Sequence, residues 1–343
     1  MARTVKTSVG SSLKKMFIME QTEAESDSGS LVYKVVGFIS ATDFTDNAML
    51  ISNLAYVFTQ LDISVCVADF KVFNPNLYQY LDIEKSEKGR GLIKMLKNDK
   101  IDPREEIIQS KYDNLYLLSP SPQDLYEEYF DFDFADIERV IDSLKNMFDL
   151  VLIDIPNNPA LEFCLSAIKK CHVGFFTASE RVEAVKNIAK LMDFSASVGI
   201  SPAKFGNVIF MNLQDLQYDY SACKKFGLNI AAYLPFVKRA VSNSLEGNLY
   251  IKDEPVVDKY FAQQFEGLVK QLLMQSNLGN QSSQSNPSNQ CNQIEQSNQS
   301  EQSEQSEQSN KSSQSKHSTH SKQSSQSKHS KHSKQSKQRK QRK

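Results

Sequence analysis

Residues 37–55, GFISATDFTDNAMLISNLA, carry the chain from an apolar run through a polar turn into a helix with an apolar stripe. Such a turn aims the free N–H groups of a helix N-terminus at whatever lies in front of them, and α/β proteins use it to hold phosphate. That chemistry needs glycines so that backbone can approach phosphate oxygens, a lysine to neutralise charge, and a hydroxyl to hold a metal. The turn at 40–47 has no glycine and no lysine, and it carries two carboxylates, Asp43 and Asp46. At about 4 Å and an effective dielectric of about 20, each carboxylate facing a phosphate charge costs about 4 kcal/mol. Thr45 or Asp46 can instead cap the helix and accept its free N–H groups. The residue types therefore predict a capped loop that holds no phosphate.

The elements that position this loop follow from the apolar pattern. Short runs rich in β-branched residues recur at 32–40, 64–70, 114–119, 148–155, 173–178, 207–212 and 230–234. Most are near-continuously apolar, which marks strands covered on both faces. Helical candidates fall between them, at 46–61, 89–98, 134–147, 160–171, 180–198, 218–226 and 237–246, with 256–275 closing the domain. The alternation predicts an α/β fold with a doubly wound, mostly parallel sheet flanked by helices. Ligands of such sheets bind beyond the carboxyl ends of the strands. The loops after Ser40, Phe70, Ile155, Asn212 and Leu234 are thus the places for chemistry.

Composition divides the 343 residues into a flexible N-terminal segment at 1–30, an α/β domain at 31–275 and a low-complexity tail at 276–343. The tail is almost entirely Ser, Gln, Asn, Lys and His, cannot bury enough apolar surface to offset its ordering entropy, and is expected to be disordered. Residues 311–343 hold eleven Lys and Arg and no acid, while the four acids of the tail lie between Glu295 and Glu307. The rest of the chain keeps 29 basic and 37 acidic residues, a charge of about −8. An acidic body with a basic arm points to the arm as the part that meets polyanions. A solubilising role for the arm stands beside that reading. The five cysteines show no CxxC or metal-like spacing, as expected for reduced structural thiols. No apolar run approaches the roughly 20 residues that span a bilayer. The expected location is cytoplasmic, with peripheral contact at a membrane or nucleoid through the arm.

Two further features are weaker. His172 follows Lys169, Lys170 and Cys171 at a helix end, where it reads as a C-terminal capping charge. Residues 127–136, EEYFDFDFAD, form an acidic-aromatic strip. It reads either as a partner surface or as a loop whose rings tuck under the sheet edge.

Four stretches taken together resemble the MinD/ParA family of P-loop ATPases, over about 33–270. YKVVGFISATDFTDNAMLISNLAYVFTQLDISVCVADF resembles that family's first strand, loop, helix and second strand. DFKVFNPNLYQYLDI resembles its D-x-D-x-x-x-P-x-L segment, FDLVLIDIPNNPALEF its Walker B strand, and VIFMNLQD with AAYLPFVKRAVSNSLEGNLYI its late strands. Aligned on Asn53-Leu54-Ala55, Thr42 stands at the family's signature lysine, Asn47 at the P-loop lysine and Ala48 at the magnesium-holding hydroxyl. Ala41, Asp43, Phe44 and Asp46 replace loop glycines. The resemblance implies that Asp69 keeps the first acid of the D-x-D segment, with Lys71 at the second. It implies that Asp154 is the Walker B aspartate, a partner of magnesium behind its first ligand shell. Asn212 and Pro235 fall on the adenine side. Each has a plainer reading as well: Asp154 as a loop cap, Asn212 as a turn residue.

The resemblance thus implies a P-loop NTPase fold with a degenerate phosphate loop: a pseudo-ATPase that scaffolds plasmid partition, conjugation, or pilus or secretion assembly. No ATP or magnesium is expected to bind. Its partners would be proteins of such a positioning system, a second copy in a homodimer, and DNA, RNA or anionic membrane touched non-specifically through 311–343. The alternative is an active ATPase that takes ATP through an unorthodox loop and borrows Lys71, with Asp154 and Asp69 catalytic. A tyrosine kinase of the same fold would need tyrosines in its tail, and this tail has none.

Overall fold

The computed structural model describes residues 31–274, apart from 32, 44, 85–86, 158–160, 215–217 and 253–257. The expectations for 1–30 and for the tail, including 311–343 and its histidines, lie outside the described residues.

Strand β1 (Val35–Ser40) leads through the 41–46 loop into helix α1 (Asn47–Thr59), and β2 (Val65–Asp69) follows. Two short helices, α2 (Leu77–Tyr80) and α3 (Leu92–Lys97), precede β3 (Ile108–Gln109) and β4 (Leu115–Leu118). Then come α4 (Phe134–Met147), β5 (Leu150–Ile155), α5 (Leu161–Lys170), β6 (Val173–Ala178) and α6 (Ala184–Ser197). The domain closes with β7 (Asn207–Leu213), α7 (Ser221–Lys225), β8 (Asn229–Pro235), α8 (Lys238–Leu245) and α9 (Lys259–Met274). All seven strands expected from the apolar runs are present. The eighth, β3, is too short for any periodicity to reveal.

The eight strands form one sheet in the order β3-β4-β2-β5-β1-β6-β7-β8. Every pairing is parallel except that of β3 with β4. β2 and β5 are buried along their whole length, which is why their sequences lack alternation. Two apolar clusters cover the two faces of the sheet. One packs α4, α5 and α6 through Ile137, Val140, Ile141, Phe163 and Ile188. The other packs α1 and α9 through Leu50, Leu54, Phe58, Phe265 and Leu268. Helix α1 is apolar nearly all round, and of its residues only Tyr56 is not fully buried. The helix is therefore held on nearly every side.

His172 departs from its expected role. It lies beyond the end of α5, and its Nδ1 accepts the N–H of Val35 at 3.1 Å, pinning the start of β1. Burial pushes its pKa below the usual histidine value, with Lys145 and Lys204 acting in the same direction. It works as a neutral acceptor, not as a helix-capping cation. Cys66, Cys164, Cys171 and Cys223 are free and buried, as structural thiols should be. Among the described residues no helix is long and apolar enough to cross a membrane.

Candidate functional site

The order of strands reverses around β1, so the loops leaving β1, β2 and β5 converge at one point of the carboxyl edge. There Asp69 ends β2 directly opposite Asp154 of β5, and both are fully buried. Asp69 acts as a clamp. Its Oδ1 accepts the N–H of Lys71 at 3.0 Å, and its Oδ2 accepts those of Asn76 at 2.9 Å and Leu77 at 3.1 Å. These bonds tie both ends of the 70–76 turn to one side chain. Burial raises the Asp69 pKa to about 6, against the pull of Lys71 and with the help of the Asp154 charge.

The clamped turn delivers Lys71 to Asp154. Its Nζ lies 2.6 Å from Asp154 Oδ2 in a close ion pair, and also donates to Asn76 Oδ1 at 3.3 Å. Burial alone would lower the Lys71 pKa, but Asp154 and then Asp69 hold it above the ordinary lysine value. The second oxygen, Asp154 Oδ1, accepts from Asn47 Nδ2 at 3.2 Å. Asn47 Oδ1 in turn accepts the hydroxyl of Thr177 on β6. A chain of buried polar groups therefore runs from β2 through β5 and α1 to β6.

Asp46 caps α1: its Oδ1 accepts the N–H of Met49 at 3.0 Å, and its Oδ2 accepts the Tyr80 hydroxyl at 3.0 Å. Burial raises the Asp46 pKa, opposed by those two bonds and by Lys71. Thr45 does not cap; its hydroxyl donates to Ser40 Oγ at 3.0 Å. The rest of the loop is bound back onto the sheet. Thr42 Oγ1 accepts the N–H of Ser179 at 2.8 Å, and Ser179 Oγ donates to the Asp43 carbonyl at 2.8 Å. The carbonyls of Ser40 and Ala41 accept from Asn157 and Asn187 at 2.6 and 2.9 Å. Ala48 is buried and offers no polar atom, while the Asp43 side chain is exposed. Phe44 lies outside the described residues.

The remaining site candidates lie elsewhere. Asn212 and Pro235 belong to β7 and β8, two and three strands from β1. Asn212 takes a left-handed conformation (φ 56°) where the register between β7 and β8 shifts, the backbone that asparagine tolerates best after glycine. Three residues central to the site were not singled out from sequence: Tyr80, Thr177 and Ser179. Thr177 had a signal, a lone hydroxyl inside the apolar run VGFFTA. Tyr80 had none, because only the fold brings it to Asp46. Among the described residues no group of three His, Cys, Asp or Glu is arranged to hold a metal ion.

A mainly parallel sheet of this order, with β1 central and flanked by helices, is the fold of the MinD/ParA P-loop ATPases. The likeness extends to particular solved structures. The septum site-determining protein MinD of Pyrococcus horikoshii, complexed with Mg-ADP, superposes with a TM-score of 0.59 at 18% identity, covering 71% of this chain and 98% of that one. A ParA family ATPase from Chlorobium tepidum gives 0.59 at 16% identity, covering 69% and 98%. The MinC:MinD cell division protein complex of Aquifex aeolicus gives 0.57 at 14% identity, covering 74% and 99%. No protein-family model matches the sequence, and curated proteins give no match either. At these identities the likeness establishes the fold.

Proposed function

We propose that this chain is a non-hydrolysing relative of the MinD/ParA ATPases, a scaffold or positioning protein whose phosphate loop is degenerate. The observation that carries the reading is the Lys71–Asp154 pair: at the position of the Walker B aspartate, a protein ammonium stands 2.6 Å from the carboxylate. Asn47, at the P-loop lysine position, spends its amide on Asp154 and Thr177. Asp46 takes the Met49 N–H that a phosphate would otherwise take, and adds a negative charge there. A magnesium-bound triphosphate does not suit this set. It would have to displace Lys71 from a buried partner and face Asp46 with no loop lysine to offset it.

On this reading the fold serves as a binding platform. The partners are proteins of a partition, conjugation, or pilus or secretion system, and a second copy that needs no nucleotide. A solved relative in complex with MinC supports the protein partner. The arm at 311–343, with eleven cations, would add loose contact with DNA, RNA or anionic membrane from the cytoplasmic side.

One observation favours a second reading, an ATPase with an unorthodox loop: Lys71 already lies at the centre of the site and could supply the missing charge. Calorimetric titration of the full chain with ATP, with and without magnesium, separates the two. The scaffold reading expects no heat of binding at micromolar nucleotide and no phosphate release. Micromolar magnesium-dependent affinity, or turnover abolished by Asp154→Asn, overturns it.

A further inference from the structure

The acidic-aromatic strip lies outside the Lys71–Asp154 site yet touches the same turn. The 3-10 turn Tyr126–Tyr129 and the residues after it sort the rings by direction. Tyr129 and Phe132 turn inward, and the Tyr129 hydroxyl donates to Asp124 Oδ2 at 2.7 Å. Leu125, Tyr126 and Phe130 turn outward and remain 54%, 47% and 53% exposed. The strip therefore divides between its two sequence readings, with only part of it under the sheet edge.

The outward rings form a cluster with Phe73. Its ring centroid lies 4.6 Å from that of Tyr126 and 6.3 Å from that of Phe130. Phe73 projects from the 70–76 turn that Asp69 clamps at both ends. Phe73 thus stands on clamped backbone and gives the exposed rings a fixed neighbour, and a ring held in place loses little entropy when something docks on it. Exposed apolar groups gathered at one place mark interaction surfaces.

Charge selects the occupant. Residues 124–136 carry six acids and no Lys or Arg. Glu128 is paired with Lys97 at 3.0 Å, but Glu127 and Asp131 are exposed and have no ion-pair partner among the described residues. Such a rim repels phosphate backbones and anionic lipid. It also repels the same face of a second copy. A segment bearing Arg or Lys meets the acids with its charges and lays guanidinium planes or aliphatic stems on the rings.

We propose that Phe73, Tyr126, Phe130 and Leu125, rimmed by Glu127 and Asp131, are the docking surface for a cationic, apolar-bearing segment of a partner protein. The inference rests on the scaffold reading only in taking the partner to be a protein, and nucleotide binding does not enter its test. The test is fluorescence anisotropy of the full chain with a labelled peptide of alternating Arg and Leu-Trp blocks. Two control peptides replace Arg by Glu, or Leu and Trp by Ser. Two surface variants are compared, Tyr126→Ser with Phe130→Ser, and Glu127→Gln with Asp131→Asn. The ring variant is expected to weaken binding by roughly tenfold or more, as loss of a buried aromatic anchor does. The charge variant should weaken it by about threefold and flatten its salt dependence. The Glu peptide should not bind and the Ser peptide should bind weakly. Equal affinity of both variants and the parent overturns the proposal, as does a Ser peptide that binds as well as the apolar one. Loss of duplex DNA or phosphatidylglycerol-vesicle binding in the ring variant would give the surface to another class of partner and overturn it too.

Discussion

At the residue scale the central fact is a wholly buried carboxylate whose nearest cation belongs to the same chain. Asp154 has no exposure, whereas the Lys71 side chain keeps 25% of its own. Removing one partner of a buried pair leaves an uncompensated charge and typically costs about 3–5 kcal/mol. Because Lys71 is partly solvated, water can enter behind it, and Lys71→Ala should cost less, about 2–3 kcal/mol. Asp154→Asn in the same chain removes the stranded charge, so the double variant should recover most of the loss. Urea denaturation of the parent, both single variants and the double variant measures the coupling. A coupling below about 0.5 kcal/mol would make the pair a surface-like contact, and Lys71 would then not keep a magnesium-bound triphosphate from Asp154.

At the element scale, two glycines placed opposite each other on β1 and β6, Gly37 and Gly174, leave room on the sheet face for the ring of Phe205. A Cβ at Gly174 would collide with the ring of Phe205, and one at Gly37 would meet the same ring as well as Ile155 and Cys171. Phe205 is fully buried, so it has nowhere to retreat. Gly174→Ala should therefore destabilise the domain by about 1–3 kcal/mol through overpacking. Phe205→Leu in the same chain should return part of that loss even though it costs stability alone. Thermal unfolding of the three variants decides it, and simple additivity would show that the ring is not what the glycine makes room for. This packing was invisible in sequence, where Gly174 was one letter of an apolar run. What sequence does show is whatever is local. The amphipathic helix at 134–147 emerges with the expected bounds because Asp133 caps it and its apolar stripe is periodic. A cap at Thr45 or Asp46 is legible for the same reason, since a side chain reaching three residues along depends on nothing distant, and the structure places it on Asp46. The role of His172 is not legible in this way, because its partner, Val35, lies on a strand far away in sequence. The ion pair of Lys71 with Asp154 was illegible too, because it depends on how Asp69 folds the 70–76 turn.

At the scale of the whole molecule, charge divides the chain into parts that should behave oppositely toward polyanions. The chain without its tail carries about −8, and 311–343 carries eleven cations and no acid. If the arm binds duplex DNA, each phosphate it neutralises contributes about −0.9 to the slope of log affinity against log salt. With about half the cations engaged, the slope for the full chain is about −5, while a chain ending at 275 should not bind. The four tail histidines, His317, His320, His329 and His332, sit among those cations. Protonation adds charge to them as pH falls, so affinity should rise toward pH 6 at constant salt. Filter binding or anisotropy of both chains across salt and pH checks both expectations. Sequence preference is not expected, because residues 295–343 contain no aromatic and no large apolar residue to stack on or read a base. Weak, equal binding by the full and shortened chains would reduce the arm to solvation, and the positioning role would then rest on protein contacts alone.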